Sequence, residues 1–324
     1  MARAIVLREH GGPDVLRPEP VEVGGPSPGQ VRLKQTAIGV NYHDVYIRDG
    51  SYAAWMPLPG IPGVEAAGVV TDAAPGTGFA PGDRVAYLTP GYGAYAEERL
   101  IDATRLVRLP DAVTDAVAAA AMVKGLTAWL LLHRVHAVRP GDRILVHAAA
   151  GGVGRILCAW ASCIGAEVIG TVGSAAKAAL ARQSGCHHTI LYREEDFAAR
   201  VAELTEGRGV AVAYDSVGRD TFAGSLASLA PLGHLVSFGQ SSGPAEPVPM
   251  SALAGRSLTV SRPVVFHYTA DRALLDEAAA TLFGAIADGT VAIEIAATFP
   301  LEQAAAAHLV LEARGSTGSL LLLP

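Results

Sequence analysis

The chain has 324 residues, of which half are hydrophobic and 17% charged, with a formal net charge of −6. That length suits two domains around a large buried core, and an acidic balance without a basic run argues against a nucleic-acid surface. No apolar run reads as long enough to span a bilayer, and the start, MARAIVLREHGG, lacks the apolar stretch and cleavage site of a signal peptide, so no membrane partner and a cytoplasmic location are expected.

In chain order, the first region runs to roughly residue 122. It is rich in Gly and Pro and carries short strand-like runs at Arg3–Leu7, Val31–Gly39, Val64–Thr71, Arg84–Tyr87 and Tyr95–Leu100, a pattern that predicts an irregular barrel rather than a parallel sheet. From Thr127 strands and helices alternate, with strands near 144, 168, 189, 210, 234 and 258 and helices starting near 155, 175, 195, 221 and 251. Alternation of that kind builds an α/β domain, a doubly wound parallel sheet with helices on both faces. After Pro263 the pattern changes to a long helix over Asp271–Asp288, a strand near Ile293, a helix over Leu301–Ala313 and a closing apolar strand. This tail is expected to rejoin the first region, which divides the chain into 1–122 with 265–324, and an inserted 123–264. Ala-rich segments at 116–121 and 304–307 are good helix material.

Cys158, Cys163 and Cys186 are odd in number and have no metal-like spacing, so they read as reduced and structural. The His187-His188 pair lies between a helix stop and a strand, where a surface loop is the simpler reading than a metal site.

Most of the chemistry lies between Arg143 and Lys177. An apolar strand, RILVHAAA, runs into Gly151, Gly152 and Gly154, with Ala149 in the first place of the three-glycine pattern. Small residues there permit a tight turn and close approach of backbone to a pyrophosphate, and the next helix would aim its N-terminal amides at the anion. Ile156, Leu157, Trp160 and Ile164 give that helix an apolar face, with Gly165 as its expected stop. A glycine cluster alone is as readily a plain turn; strand, turn, helix and strand in order favour the nucleotide. An NAD site carries an acid about 20 residues further on, at the end of the second strand, to bond the ribose 2'-hydroxyl. Here the second strand, Val168–Val172, runs into Gly173 and Ser174, with Lys177 one turn later and Tyr192-Arg193 after the next strand. Lys177 and Arg193 taken singly read as solvated surface charges, but cations and hydroxyls without a carboxylate suit a 2'-phosphate, so NADPH is the expected cofactor.

Motifs along the whole length extend this reading: HGGP at 10–13, AIGVNYHDVYIRDG at 37–50, GVEAAGVV at 63–70, KGLTA at 124–128, HAAAGGVG at 147–154, GTVGSAAKA at 170–178, YREED at 192–196, YDSVGRDT at 214–221 and VSFGQSSG at 236–243. With them the chain resembles the zinc-free quinone oxidoreductases of the medium-chain dehydrogenase/reductase superfamily, bacterial NADPH:quinone oxidoreductases in particular. The resemblance implies a GroES-like catalytic domain (1–122 and 265–324) split around a Rossmann NADPH-binding domain (123–264), with the active site in the cleft between them. It also implies a homodimer through the sheet edge near 257–262. The pyrophosphate would lie on Gly151, Gly152 and Val153, and the 2'-phosphate near Gly173, Ser174, Lys177, Tyr192 and Arg314, with a helix-ending cation as the alternative for Arg314. Asn41, Thr127, Ser216, Val217, Phe238 and Gln240 complete the implied cofactor contacts, although the family often has Asn in place of Gln240.

The zinc alcohol dehydrogenases of that superfamily are the competing assignment. Their metal-binding Cys, His and Cys correspond to Asn41, Val64 and Val123, and their four-cysteine structural lobe is missing because no Cys precedes Cys158. An amide is a poor zinc ligand and valine is none, so polarisation of an alcohol by zinc is not expected. Hydride from the nicotinamide must then meet an acceptor already electron-poor, a quinone or an activated enone, with the protein supplying orientation and a hydrogen bond to the developing oxyanion. The resemblance points to Asn41, Tyr46 and Tyr52 for that bond; a packing aromatic is the alternative for each tyrosine. Three function classes follow: an NADPH-dependent quinone reductase, an enoyl or haloacrylate reductase on the same scaffold, and a non-catalytic crystallin-like or RNA-binding role, the last disfavoured by the acidic charge.

Overall fold

Apolar runs separated by helices place Thr127–Val265 in one parallel sheet. A computed structural model describes residues 1–313 and 317–324, in two units: Met1–Leu126 with Phe266–Pro324, and Thr127–Val265. In the second unit all six expected strands form, at Arg143–Val146, Glu167–Val172, His188–Leu191, Val210–Asp215, Leu229–Ser237 and Thr259–Ser261. Their spatial order is third, second, first, fourth, fifth, sixth, and every pairing is parallel. This is the dinucleotide-binding order, whose direction of travel reverses between the first and fourth strands. Helices Gly152–Ile164, Ala175–Gln183, Phe197–Leu204, Phe222–Ala227 and Ser251–Ala254 make the crossovers. Leu145, Ile169, Ile190, Ala213 and Leu235 pack from neighbouring strands into one buried cluster, against which Phe197 and Phe222 lie.

The first unit holds a seven-stranded sheet that runs Ile295–Pro300, Ser319–Leu323, Gln30–Val40, Glu65–Ala73, Arg84–Leu88 and Leu106–Arg108, with Glu98–Asp102 also pairing along Gln30–Val40. All pairings are antiparallel except that of Ile295–Pro300 with Ser319–Leu323. The tail rejoins this unit as expected: Leu320 pairs with Val40, and Ser319 Oγ donates to the Ala120 carbonyl at 3.1 Å. The long helix forms at Arg272–Ala287, started by Asp271, whose carboxylate accepts from the amides of Ala273 and Leu274.

Several expectations needed correction. The run Tyr95–Leu100 is a regular strand only from Glu98; before it Tyr95 is buried and Ala96 makes an isolated antiparallel bridge to Ala4. Strand Arg17–Val21, which pairs with Ala2–Val6, was hidden by its two prolines, residues that usually argue against a strand. Of the His187-His188 pair, His187 is an exposed bend residue as expected, its Nδ1 accepting from Val168 N, but His188 opens a strand with its Nε2 at 3.0 Å from Glu167. One helix, Asp115–Val135, is long and apolar enough by length and composition to cross a bilayer, contrary to the expectation that no run reaches that length; 67% of its apolar window is buried within the protein.

Candidate active site

Five strand ends of the second unit carry the expected cofactor residues. Gly151, Gly152 and Val153 follow the first strand, Gly173 and Ser174 the second, Tyr192 the third, Ser216 and Val217 the fourth, and Phe238 and Gln240 the fifth. All lie on the carboxyl edge of a parallel sheet, where open α/β sheets bind ligands. Gly151 precedes helix Gly152–Ile164 in extended conformation and no side chain caps that helix, so its first-turn amides are presented without a side-chain acceptor. Gly154 cannot be replaced: a Cβ there would lie 2.3 Å from the Ala148 carbonyl oxygen, so the helix packs directly on the turn. Ala148 itself takes φ +51°, a conformation that costs a residue with a Cβ about 1–2 kcal/mol and is concentrated at functional turns. These features fit a bound pyrophosphate.

No carboxylate stands at the end of the second strand. Ser174 instead starts helix Ala175–Gln183, its Oγ accepting from Lys177 N at 3.3 Å. The Tyr192 hydroxyl and the Arg193 guanidinium both lie beside the Cα of Gly173, 2.8 and 3.5 Å from where a Cβ would be. Gly173, Ser174, Lys177, Tyr192 and Arg193 are thus gathered at one corner, and the set suits a phosphate monoester. Gln240 is held by Arg262, whose Nη2 donates to Oε1 at 3.1 Å. Thr127 lies on helix Asp115–Leu130, and Arg314 falls outside the described residues.

Beneath these loops runs a buried polar chain that sequence reading missed. Asp215 Oδ1 accepts from the amides of Val217 and Gly218, which shapes the loop carrying Ser216 and Val217. Its Oδ2 accepts from Ser225 Oγ, which lies 2.8 Å from His147 Nε2, and His147 Nδ1 is 2.9 Å from Thr171 Oγ1. Burial pushes the His147 imidazole below its usual range, so it stays neutral and links the first, second and fourth strands.

In the first unit Asn41 ends the strand Gln30–Val40 and starts helix Tyr42–Arg48, with the Asp44 carboxylate accepting its backbone N–H at 2.8 Å. Its side chain is wholly engaged with charges. Nδ2 donates to Glu65 Oε1 at 2.6 Å, and Oδ1 accepts from Lys124 Nζ at 2.9 Å. Lys124 Nζ is 3.4 Å from Glu65 Oε1, and Val123 N donates to Glu65 Oε2 at 2.5 Å. Side-chain exposure is 0% for Glu65 and 11% for Lys124, so this is a buried ion pair wrapped around an amide. The expectation that Asn41 offers its amide to a substrate oxygen is therefore narrowed, since one of the two Nδ2 hydrogens is already committed. At the three metal positions stand this amide and two valines, a set that does not fit zinc.

A second buried network adjoins it. Tyr95 Oη donates to Asp44 Oδ2 at 3.1 Å and is 3.0 Å from His308 Nε2, while Arg48 Nη1 is 3.3 Å from His308 Nδ1. An arginine can only donate, so His308 Nδ1 accepts and Nε2–H donates to Tyr95. Burial first, then the Glu65 charge, raises the Asp44 carboxyl to about 7, against the pull of the Asn41 amide. Tyr46 and Tyr52 belong to an aromatic cluster: their ring centres are 5.1 Å apart, Tyr52 stacks on Trp55 at 5.3 Å, and His43 meets Tyr52, Trp55 and Phe266 edge-on. Burial lowers His43 to about 4, so its ring is a neutral member of that cluster.

A parallel dinucleotide sheet inserted between the two parts of an antiparallel unit defines a two-unit dehydrogenase. Residues 27–111 match the alcohol dehydrogenase GroES-like domain and residues 152–280 the zinc-binding dehydrogenase family. The chain is 46% identical over 329 residues to a quinone oxidoreductase of Pseudomonas aeruginosa, covering 100% of both chains. It is 46% identical over 332 residues to a 2-haloacrylate reductase of Burkholderia sp, covering 100% of this chain and 99% of that one. The structure of Escherichia coli quinone oxidoreductase complexed with NADPH superposes with a TM-score of 0.96 at 42% identity, again over 100% of both chains. The chain belongs to the zinc-independent quinone oxidoreductase family of the medium-chain dehydrogenase/reductase superfamily.

Proposed function

We propose that this chain is an NADPH-dependent quinone oxidoreductase that needs no metal. The observation that carries the reading is a preserved nucleotide turn in a chain whose three metal positions are Asn41, Val64 and Val123. Bound NADPH would supply a hydride to the acceptor. Gly151, Gly152 and Val153 would hold the pyrophosphate by backbone amides, and Gly173, Ser174, Lys177, Tyr192 and Arg193 the 2'-phosphate. Lys124 and the second Nδ2 hydrogen of Asn41 would donate to the acceptor, and Tyr46 and Tyr52 would give it an aromatic wall. The similarity to the 2-haloacrylate reductase favours a second reading, reduction of a polarised carbon–carbon double bond. Loss of NADPH absorbance with a panel of quinones beside a panel of enones and haloacrylates separates the two; inactivity on every quinone would overturn the first. A cytoplasmic place without membrane or nucleic-acid partners belongs to this proposal. So does a homodimer through the edge strand Thr259–Ser261, where Val260 is exposed. Light scattering that gave a monomer mass would remove the dimer.

Lys177→Ala is expected to weaken NADPH by about 10–100-fold, the worth of a charged hydrogen bond to phosphate, and to leave NADH nearly unchanged. Equal loss for both in fluorescence titrations would refute the 2'-phosphate assignment. Asn41→Ala is expected to lower kcat about 10-fold or more with a small change in NADPH affinity. Full retained turnover would take Asn41 out of the site.

A further inference from the structure

Each of the two valines at metal positions is followed by a charged residue, Glu65 after Val64 and Lys124 after Val123, and both charges converge on the third position, Asn41. The ammonium of Lys124 therefore stands among the positions where metal enzymes of this superfamily would hold a dication. Of its three N–H donors, one is given to Asn41 Oδ1 and one points to Glu65 Oε1. Among the described residues the third has no acceptor, and the side chain retains 11% exposure. Glu65 has no exposure and is fixed by Val123 N, so the pair cannot swing apart into water. Each neighbour reads the same way: Asn41 presents its oxygen to Lys124 because its nitrogen is held by Glu65.

We propose that Lys124 is the cation that stabilises the reduced acceptor oxygen, in the role a metal ion plays elsewhere in the superfamily. This rests on the quinone reductase reading and assigns one of its steps. Transfer of a hydride to one quinone oxygen brings two electrons, forms an O–H bond there, breaks both carbon–oxygen π bonds as the ring becomes aromatic, and leaves the other oxygen as a phenolate. That oxygen accepts the free Nζ–H of Lys124 while the charge is present. A proton from water then completes the hydroquinone, and Lys124 ends the turnover protonated as it began. Glu65 is a positioning residue that holds the ammonium in place, a task Asn41 shares through its Oδ1 besides its own donor Nδ2.

The test compares Lys124→Met, Lys124→Gln and Lys124→Arg in the full-length protein. Met removes both charge and hydrogen bond; Gln can still donate to Asn41 Oδ1 but is neutral; Arg keeps the charge. The expected result is a fall in kcat of about a hundredfold for Met and Gln, as for loss of an oxyanion donor, with at least a tenth of kcat kept by Arg and the NADPH dissociation constant within twofold throughout. Binding of 4-nitrophenolate to the NADP+ complex, read by its absorbance shift, imitates the anionic oxygen without turnover. Met and Gln should lose it and Arg should keep it. A folded Gln variant that keeps kcat and phenolate binding would overturn the proposal, because Lys124 would then serve only to hold Asn41. If Met fails to fold, Gln decides alone. A wild-type protein that reduces no quinone but still binds phenolate through Lys124 would instead sink the underlying quinone reading.

Discussion

Glu65→Ala is expected to destabilise the first unit by about 3–5 kcal/mol, the range found when one partner of a buried ion pair is removed. Three donors end on this carboxylate: Asn41 Nδ2, Val123 N and the Lys124 ammonium. Alanine would leave Asn41 Nδ2 and Val123 N without their acceptor and Lys124 without its counter-charge, around a carboxylate that is fully buried. The space around it is made by Gly39, where a Cβ would lie 2.1 Å from Glu65 Oε1, so the strand has no side chain able to fill the gap. Glu65→Gln is expected to cost less, because a carboxamide oxygen still accepts a hydrogen bond although the charge on Lys124 is left unbalanced. The measurement is denaturant unfolding followed by circular dichroism, at low and at high salt. A buried pair is poorly screened, so the loss should persist at high salt. A loss under about 1 kcal/mol, or one that vanishes with salt, would mean that the pair behaves as a surface ion pair.

How far all this was legible in the sequence differs between the two units. The nucleotide unit announced itself because its information is local: RILVHAAA followed by Gly151, Gly152 and Gly154, then an amphipathic helix and a second strand, lie within one short stretch. Ile156, Leu157 and Trp160 are buried as their spacing requires. Asn41 was legible only as a vacancy in a metal set, and its partners Glu65 and Lys124 are 24 and 83 residues away. No periodicity connects such distant residues. A signal did exist, since Glu65 interrupts the apolar run GVEAAGVV and Lys124 the run AAAAMVKGLTAWLLL, and charges inside apolar runs are buried only when paired. His147 gave a similar hint at the head of HAAAGGVG. Tyr46 and Tyr52 were readable as aromatics near the right segment, but only folding gathers them with His43 and Trp55.

The first unit should also carry opposed titrations, and Asp44→Asn is expected to expose one of them. Asp44 is raised to about 7 in the folded chain against 3.8 for the free residue, chiefly by burial. Its folded state therefore holds a proton that the unfolded state has released, and stability falls as pH rises from 3.8 through 7. His308 runs the other way: burial first, then the Arg48 charge, lowers it to about 3 from 6.5. Unfolding takes up a proton there, so its contribution is complete above pH 6.5 and is lost on acidification toward 3. His43, lowered by burial to about 4, adds a second rising slope, so between pH 4 and 6.5 the falling slope of Asp44 is masked in the wild type. Replacing Asp44 by Asn removes the falling slope and keeps an oxygen able to accept from Asn41 N and Tyr95 Oη. The stability difference, variant minus wild type, should grow by about 1.4 kcal/mol per pH unit between pH 4 and 7 and level off above. His308→Gln should give the mirror image, falling relative to wild type as pH rises over the same range. Denaturation midpoints measured for the three proteins across pH 4.5–8 decide the matter: a difference for Asp44→Asn that is flat with pH would show Asp44 to be ionised like any surface carboxylate, and its link to Tyr95 and His308 would then have no part in setting the protonation around Asn41.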